Sequence, residues 1–371
     1  MVRAAPVICA AYRVVRRIEI YSVPHLPHSR TLHARSNSSM SEQLSRFSPT
    51  RRELLGTAGG LALLSAVGRA AAQSKPSTIR IVCGYAAGGT SDLLSRKVAS
   101  NMPAGYANSV IVENKPGALA QLAVSYVKQQ PPDGSNILSV SSVLFTLFPF
   151  IYKSLPYDAM NDFATLTAGC EVEYGYAVGP MVPASVRTIP EYIAWAKRDA
   201  KNATFATAGV LPSMVGTLLA KIGNMELVPV TYKGGAPAVL DTVAGNVPAT
   251  VTTLGDLAPH LGDGKLRVLA ITSDKRNPLL PTVPTFAEQG IADMVIKTYF
   301  GFFAHAKTPA ELMASHSAAI RSALTKKEIV DSLAQVGMTV VPTDLKQSGE
   351  LIAQDRARWA SVVKRINYQP T

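Results

Sequence analysis

The stretch Ile79 to Leu94, IRIVCGYAAGGTSDLL, decides the fold. Ile79, Ile81 and Val82 read as a buried strand, whereas Leu93, Leu94, Lys97 and Val98 fall at helical spacing. Between them, Gly84, Gly88 and Gly89 let the backbone turn tightly and approach a guest. Thr90, Ser91 and Asp92 are cap-type side chains placed before the helix. A helix start presents unpaired N–H groups and the positive end of a dipole, so it suits an anion. Many α/β proteins contain such a joint without using it, so the unit alone leaves a packing joint and an anion site as equal readings.

The same unit recurs outward from this stretch. Ser109 to Glu113 alternates as a strand, and Asn114-Lys115-Pro116-Gly117 is turn chemistry. A helix is predicted from Ala120 to Gln129, strands at Asn136 to Val140 and Ala164 to Val172, and a helix from Ile189 to Ala200 with Pro190 in its first turn. Further strands are predicted at Thr204 to Thr207, Glu226 to Tyr232, Val247 to Thr252, Leu266 to Thr272 and Tyr299 to Ala304. Helices from Pro309, Glu328 and Asp344 close the chain, the last with an apolar stripe through Leu351, Ile352, Trp359 and Val362 that reads as docking onto the core. Strands alternating with helices imply parallel β-α-β units in a sheet covered on both faces. Glycine loops open helices near residues 84–92, 208–213 and 233–237. In open α/β sheets such loops gather in one crevice at the carboxyl ends of the strands, so three of them argue for a cleft lined by backbone donors.

The chain is long enough, at 371 residues, for two ordinary domains, and its formal charge is +12. That charge is concentrated early: residues 1–72 hold ten arginines and three glutamates, so the chain from Gln73 carries 27 basic and 22 acidic residues, a net of +5. No basic run interleaved with aromatics follows, which argues against a nucleic-acid partner. Residues 48–73 read SPTRRELLGTAGGLALLSAVGRAAAQ: paired arginines, an apolar stretch and Ala70-Ala71-Ala72 before Gln73. These are the three regions of an export signal, and Arg51-Arg52 resembles the twin-arginine type. Residues 40–72 are therefore assigned to the signal, with cleavage near Ala72-Gln73 and the mature protein in the periplasm. Residues 1–39 precede it with six arginines and no periodicity, and translation is expected to begin at Met40.

Catalytic chemistry is hard to find. There is no GxxxxGK, no G-x-S-x-G and no HExxH. His260, His305 and His316 are scattered without ligand spacing, so neither a metal nor a cofactor is expected. Cys83 reads as a small buried residue, with a disulfide to Cys170 as the alternative. Glu171 and Glu173 share a strand face, as a solvated edge would. Asp92 beside Ser91 reads as a first-turn acid, with a periplasmic hydrolase or isomerase as its catalytic alternative.

Over residues 77–367 the chain resembles the periplasmic solute receptors of tripartite tricarboxylate transporters, the Bug-type receptors. Cys83 to Asp92 is similar to their P-F-x-P-G-G-x-x-D loop with both prolines absent. Val112-Glu113-Asn114-Lys115-Pro116-Gly117, Pro132-Asp133-Gly134, Leu155-Pro156-Tyr157-Asp158, Tyr232-Lys233-Gly234 and Gly264-Lys265-Leu266-Arg267 continue the match in order. The resemblance implies an α/β, two-domain periplasmic binding protein of type II-like, Venus-flytrap form with open, mostly parallel sheets. Domain 1 would be 75–178 plus 298–371, and domain 2 would be 179–297. It also implies a monomeric receptor, not an enzyme, that holds a small organic carboxylate between its domains and hands it to integral-membrane permease subunits. A ligand-presenting partner of a membrane sensor would use the same cleft.

The resemblance puts the ligand against Tyr85, Ala87, Gly88, Gly89, Thr90 and Asp92 on one side and Thr207, Ala208 and Gly209 on the other. Ser141, Ser142, Tyr232, Lys233, Gly234, Thr252 and Thr253 complete the expected set. Where relatives carry polar residues after Ser142, this chain has Val143, Leu144 and Phe145. An aspartate-asparagine pair becomes Thr252-Thr253, and a serine-histidine pair becomes Ser213-Met214. If those residues face the ligand, an aromatic or aliphatic monocarboxylate is expected in preference to citrate or aspartate; the alternative is that Val143, Leu144 and Phe145 pack in the core.

Overall fold

The computed structural model describes residues 77–262, 264–291, 294–365 and 370, which all fall in one compact unit. The export signal, its cleavage point and the expected start at Met40 lie outside the described residues.

Strand β1 (Thr78–Cys83) is buried on both faces. Ile79 and Ile81 join Leu94 and Val98 of α1 (Thr90–Ala99) in one apolar cluster, while Val82 joins Ala123, Val124 and Val127 of α2 (Gln121–Lys128) in the other. Burying each such aliphatic side chain contributes roughly 1.5–3 kcal/mol, which is why the alternation along six residues fixes the register of the strand. Strands β2 (Ser109–Asn114) and β3 (Asn136–Ser141) flank β1 in parallel, as β-α-β connections require. The apolar segment that breaks this rhythm folds as two single turns, α3 (Val143–Thr146) and α4 (Phe148–Ile151).

Strand β4 (Phe163–Val178) is longer than predicted and joins two sheets. Its second part lies in a sheet built from another β-α series: α5 (Ile189–Ala196), β5 (Thr204–Thr207), α6 (Val210–Ile222), β6 (Val228–Thr231), α7 (Gly235–Val243), β7 (Ala249–Thr253), α8 (Leu254–Leu257) and β8 (Arg267–Ile271). Thr188 and Glu191 form a capping box at the start of α5, with Pro190 in the first turn. Strand β9 (Lys297–His305) returns to the first sheet, followed by α9 (Ala310–Leu324), α10 (Lys327–Ala334), β10 (Met338–Val340) and α11 (Leu345–Arg365).

The strand order is β2-β1-β3-β9-β4-β7-β5-β6, with β8 and β10 also paired to β4. The parallel pairs come from the two β-α series, and every antiparallel pair includes β4 or β9. Strand β4 pairs with β9 from Phe163 to Glu173 and with β7 from Tyr174 to Val178. The change of sheet therefore falls between Glu173 and Tyr174, inside a continuous strand. Gly169, at φ +70°, absorbs a bulge opposite Phe300, where a Cβ would stand 2.3 Å from the Phe300 carbonyl oxygen.

Two sequence expectations are corrected here. Glu171 and Glu173 lie on a central strand, not a solvated edge, and their carboxylates face Lys297 Nζ at 3.5 and 4.0 Å. Strand β10 was missed because Met338 to Val340 is too short to show a period. Trp359, Ile352, Val362 and Val363 of α11 pack into the main core, so its apolar stripe is used internally.

Candidate functional site

The loop after β1 is held from behind. Gly84 N–H donates to the Ser139 carbonyl (3.1 Å), and Asn114 Nδ2 donates to the Tyr85 carbonyl (3.0 Å) and to Asp92 Oδ1 (2.8 Å). Asp92 Oδ2 accepts from Gly88 N–H and Arg96 Nε, both at 2.9 Å. Burial alone would raise the Asp92 pKa, but the bonds from Arg96, Gly88 and Asn114 outweigh it and hold the carboxyl below its usual range. Asp92 thus orders the loop, with both oxygens engaged by it and by its neighbours.

Helix α1 begins after Gly89, which brings no side-chain cap, and Thr90, Ser91 and Asp92 lie inside its first turn. The cap expected from those three residues comes instead from the other sheet. Asp256 of α8 accepts through Oδ1 from Thr90 N–H (2.7 Å) and Thr90 Oγ1 (3.0 Å). Its Oδ2 accepts from Thr252 Oγ1 (2.5 Å) and Thr253 Oγ1 (2.9 Å). The Thr90 and Thr253 hydroxyl oxygens also lie within hydrogen-bonding reach of each other, so their two protons are shared among this contact and the two to Asp256, and Ala86 N–H donates to the Lys233 carbonyl at 3.2 Å. Glycines make this approach possible: a Cβ on Gly89 would stand 3.0 Å from Asp256 Oδ1, and one on Gly235 would stand 1.8 Å from Oδ2. Asp256 therefore lies where the N-termini of α1 and α7 meet.

Helix α6 opens on the same space from Gly209, again without a side-chain cap. The cleft has a volume of about 50 Å³, and Tyr85, Val143, Tyr174, Leu211, Pro212 and Phe300 form its less polar wall. The Tyr85 and Phe300 rings meet edge to face at 5.4 Å. Burial, with a contribution from the nearby Asp256, raises the pKa of both Tyr85 and Tyr174, so both hydroxyls remain donors. Tyr174 is 4% exposed, and its N–H donates to Thr272 Oγ1 at 3.0 Å.

Of the residues predicted from sequence, Tyr85, Gly89, Thr90, Ser141, Ala208, Gly209, Thr252 and Thr253 line the cleft. The others stand apart from that lining. Ala87 and Gly88 are exposed, and Asp92 is engaged as described. Ser142 bonds Thr298, Thr207 bonds Ser213, and the Tyr232 hydroxyl donates to Asp241 Oδ2 at 2.6 Å. Lys233 contributes its carbonyl to the Ala86 bridge, while Gly234 lies against Ala86. Sequence reasoning missed Asp256, Tyr174, Gly235, Phe300 and the Val210 to Pro212 turn. Tyr174 fell past the predicted end of its strand, and nothing local links Asp256 to Thr90.

Val143 lines the cleft, but Leu144 is fully buried in the core. Phe145 packs on Phe303 at 4.5 Å between ring centres and borders a separate cavity of about 320 Å³ with Phe163, Met313 and Ile352. That cavity is larger, but its lining is almost wholly apolar and none of the three glycine loops opens on it. The small cleft, where the glycine loops converge, is the candidate site. Among the described residues no cluster of His, Cys, Asp or Glu could hold a metal ion, and Cys83 and Cys170 are separate buried thiols.

Residues 94–368 match the family described as tripartite tricarboxylate transporter family receptor. A UPF0065 protein in the tcbD-tcbE intergenic region of Pseudomonas sp. (strain P51) is 29% identical over 322 residues, 84% of this chain and 93% of that protein. The structure of the periplasmic binding protein BugD superposes with a TM-score of 0.74 at 25% identity, over 81% of this chain and all (100%) of that one. R. palustris Rpa4515 with adipate gives a TM-score of 0.73 at 25% identity, over 79% and 98% of the two chains.

Proposed function

This chain belongs to the tripartite tricarboxylate transporter receptor family, and from that premise we propose that it binds a small organic carboxylate in the cleft and delivers it to an integral-membrane permease. It is a solute-binding receptor of the two-domain periplasmic type, not an enzyme. The observation that carries the ligand class is the convergence of three glycine-started helices, α1, α6 and α7, on one cleft. Helix N-termini stabilise a negative charge: that of α1 already holds the Asp256 carboxylate, that of α6 has no side-chain cap, and no nucleophile with its base is needed to explain them. The adipate held by Rpa4515 supports a carboxylate here as well.

A volume of about 50 Å³ is well below the roughly 300–1,000 Å³ of ordinary small-molecule sites, so in this reading a ligand enters when the two sheets part. We place the moving bodies on either side of the point where β4 changes sheets, between Glu173 and Tyr174, and of the chain's return to the first sheet at the start of β9, with these two crossings acting as hinges. The wall of Tyr85, Val143, Tyr174, Leu211 and Phe300 favours an aromatic or aliphatic monocarboxylate over citrate or aspartate. The mature protein is placed in the periplasm; among the described residues no helix is long and apolar enough to cross a membrane.

The test is a thermal-shift and calorimetric screen of the mature chain against mono-, di- and tricarboxylates, with mass spectrometry of whatever co-purifies. Stabilisation by one small monocarboxylate is expected. Stabilisation by citrate or aspartate alone would refute the ligand preference, and no response to any carboxylate would refute the receptor reading of the cleft.

A further inference from the structure

We propose that Asp256 is the specificity-determining residue of the cleft, because its side chain fills a carboxylate position from within the chain and thereby rejects ligands that carry a second carboxylate. The inference rests on the receptor reading above and narrows it. Three long helices start on the cleft; at α1 the place for an anion is already taken, and at α7 the same carboxylate stands against the helix start. Asp256 Oδ1 accepts from the Thr90 N–H of α1, and Oδ2 lies where a Cβ on Gly235, at the start of α7, would collide with it. Three threonine hydroxyls, from Thr90, Thr252 and Thr253, complete its shell. Asp256 is 7% exposed, so this is a built position and not a surface acid that happens to lie near a helix.

The remaining opening is of a different kind. Helix α6 starts at Gly209 with no side-chain cap, and Tyr174, 4% exposed, lines the same cleft. One carboxylate can be received there by N–H and O–H donors, with its body against Tyr85, Val143 and Phe300. A second carboxylate on the same ligand would meet Asp256 with its donors already used. Two negative charges in a site with little water repel strongly, and the second group would also enter without hydrogen bonds. A neutral end meets neither penalty.

The experiment compares acids that differ in one carboxylate: hexanoate with adipate, and benzoate with terephthalate. Binding to the mature chain is measured by calorimetry, with wild type, Asp256→Asn and Asp256→Ser in parallel. Wild type is expected to prefer the monocarboxylate of at least one pair by tenfold or more. Both substitutions should shrink that ratio at least tenfold, chiefly by gaining affinity for the diacid. Diacids bound by wild type as tightly as their monoacid partners, or a ratio unmoved in the folded variants, would overturn the inference while leaving the receptor reading intact. If no acid binds wild type, the receptor reading fails and takes this inference with it. Circular dichroism verifies the fold of each variant; should neither fold, the wild-type ratios decide alone.

Discussion

The Asp256 carboxylate caps the helix that begins at Thr90, with Oδ1 2.7 Å from the Thr90 nitrogen across 166 residues of sequence. A cap is ordinarily supplied by the residue just before the helix, and here Gly89 supplies none. The stability of one helix start is thereby tied to the approach of the two sheets.

The Thr90 hydroxyl tests that tie. Thr90→Val keeps the N–H bond but removes the hydroxyl that reaches both Asp256 and Thr253. Each hydrogen bond of this kind contributes about 0.5–1.5 kcal/mol, and here only to the arrangement with the sheets together. The variant should show a larger radius of gyration by small-angle scattering and a Tm lower by about 2–4 °C for each kcal/mol lost. An unchanged radius would mean that the hydroxyl does not hold the two sides.

Gly235 tests the same contact from α7. Gly235→Ala places a Cβ 1.8 Å from Asp256 Oδ2, so the carboxylate or the helix must move. Overpacking of this kind costs about 1–3 kcal/mol, more than alanine restores by its helix propensity. Gly262→Ala, with nothing within 4 Å of the added methyl, serves as the control and should stay within about 0.5 kcal/mol of wild type. Urea denaturation of both variants checks the difference.

Asp92 gives a pH-dependent prediction. Its carboxyl is 4% exposed and accepts from Gly88, Arg96 and Asn114, so Asp92→Ala should cost about 1–3 kcal/mol at pH 7 and loosen the loop after β1. Because the folded-state pKa is depressed, the stabilisation is present above the unfolded value of about 3.9 and disappears as pH falls through the lower folded value. The gap between wild type and variant should therefore begin to narrow as pH falls past the unfolded value of about 3.9 and go on narrowing through the lower folded value. Urea midpoints from pH 7 down to pH 2 measure it; a gap that does not narrow across this range would assign the loss to packing.

How much of this was legible in the sequence follows from range. The alternation Ile79, Ile81, Val82 and the glycines before Leu93 are local signals, and they located the strand, the loop and the helix. Fifteen residues fix such a unit by period and turn chemistry. The partner of that loop is not local. Asp256 sits in a single helical turn after β7, and only the pairing of β7 with β4 brings it to Thr90. Tyr174 was lost for a related reason: β4 does not stop where its sheet changes, and Gly175, just past the crossing, lies inside the strand and marks no end. Phe145 marks a different limit: an apolar residue next to a predicted site reads the same whether it lines the cleft or packs in the core, and here the core alternative holds, with Phe145 on Phe303.

His316 makes the most specific prediction about stability. It is 2% exposed, and its Nδ1 shares a 2.5 Å hydrogen bond with the Tyr106 hydroxyl. Burial pushes its pKa down to about 4, against a smaller opposing effect from the Gly134 backbone. In the unfolded chain the imidazole takes up its proton near pH 6.5, so between 6.5 and 4 the unfolded state binds the proton and the folded state does not. Stability is thus complete above the unfolded value, falls as pH drops through this window, and levels off below the folded value. The full change is on the order of 3 kcal/mol, from roughly 1.36 kcal/mol per pKa unit. His316→Gln has no proton to take up and should lack this component. Melting curves of wild type and variant from pH 7.5 to 4 should converge as the pH falls, and parallel curves would show that His316 does not titrate across folding.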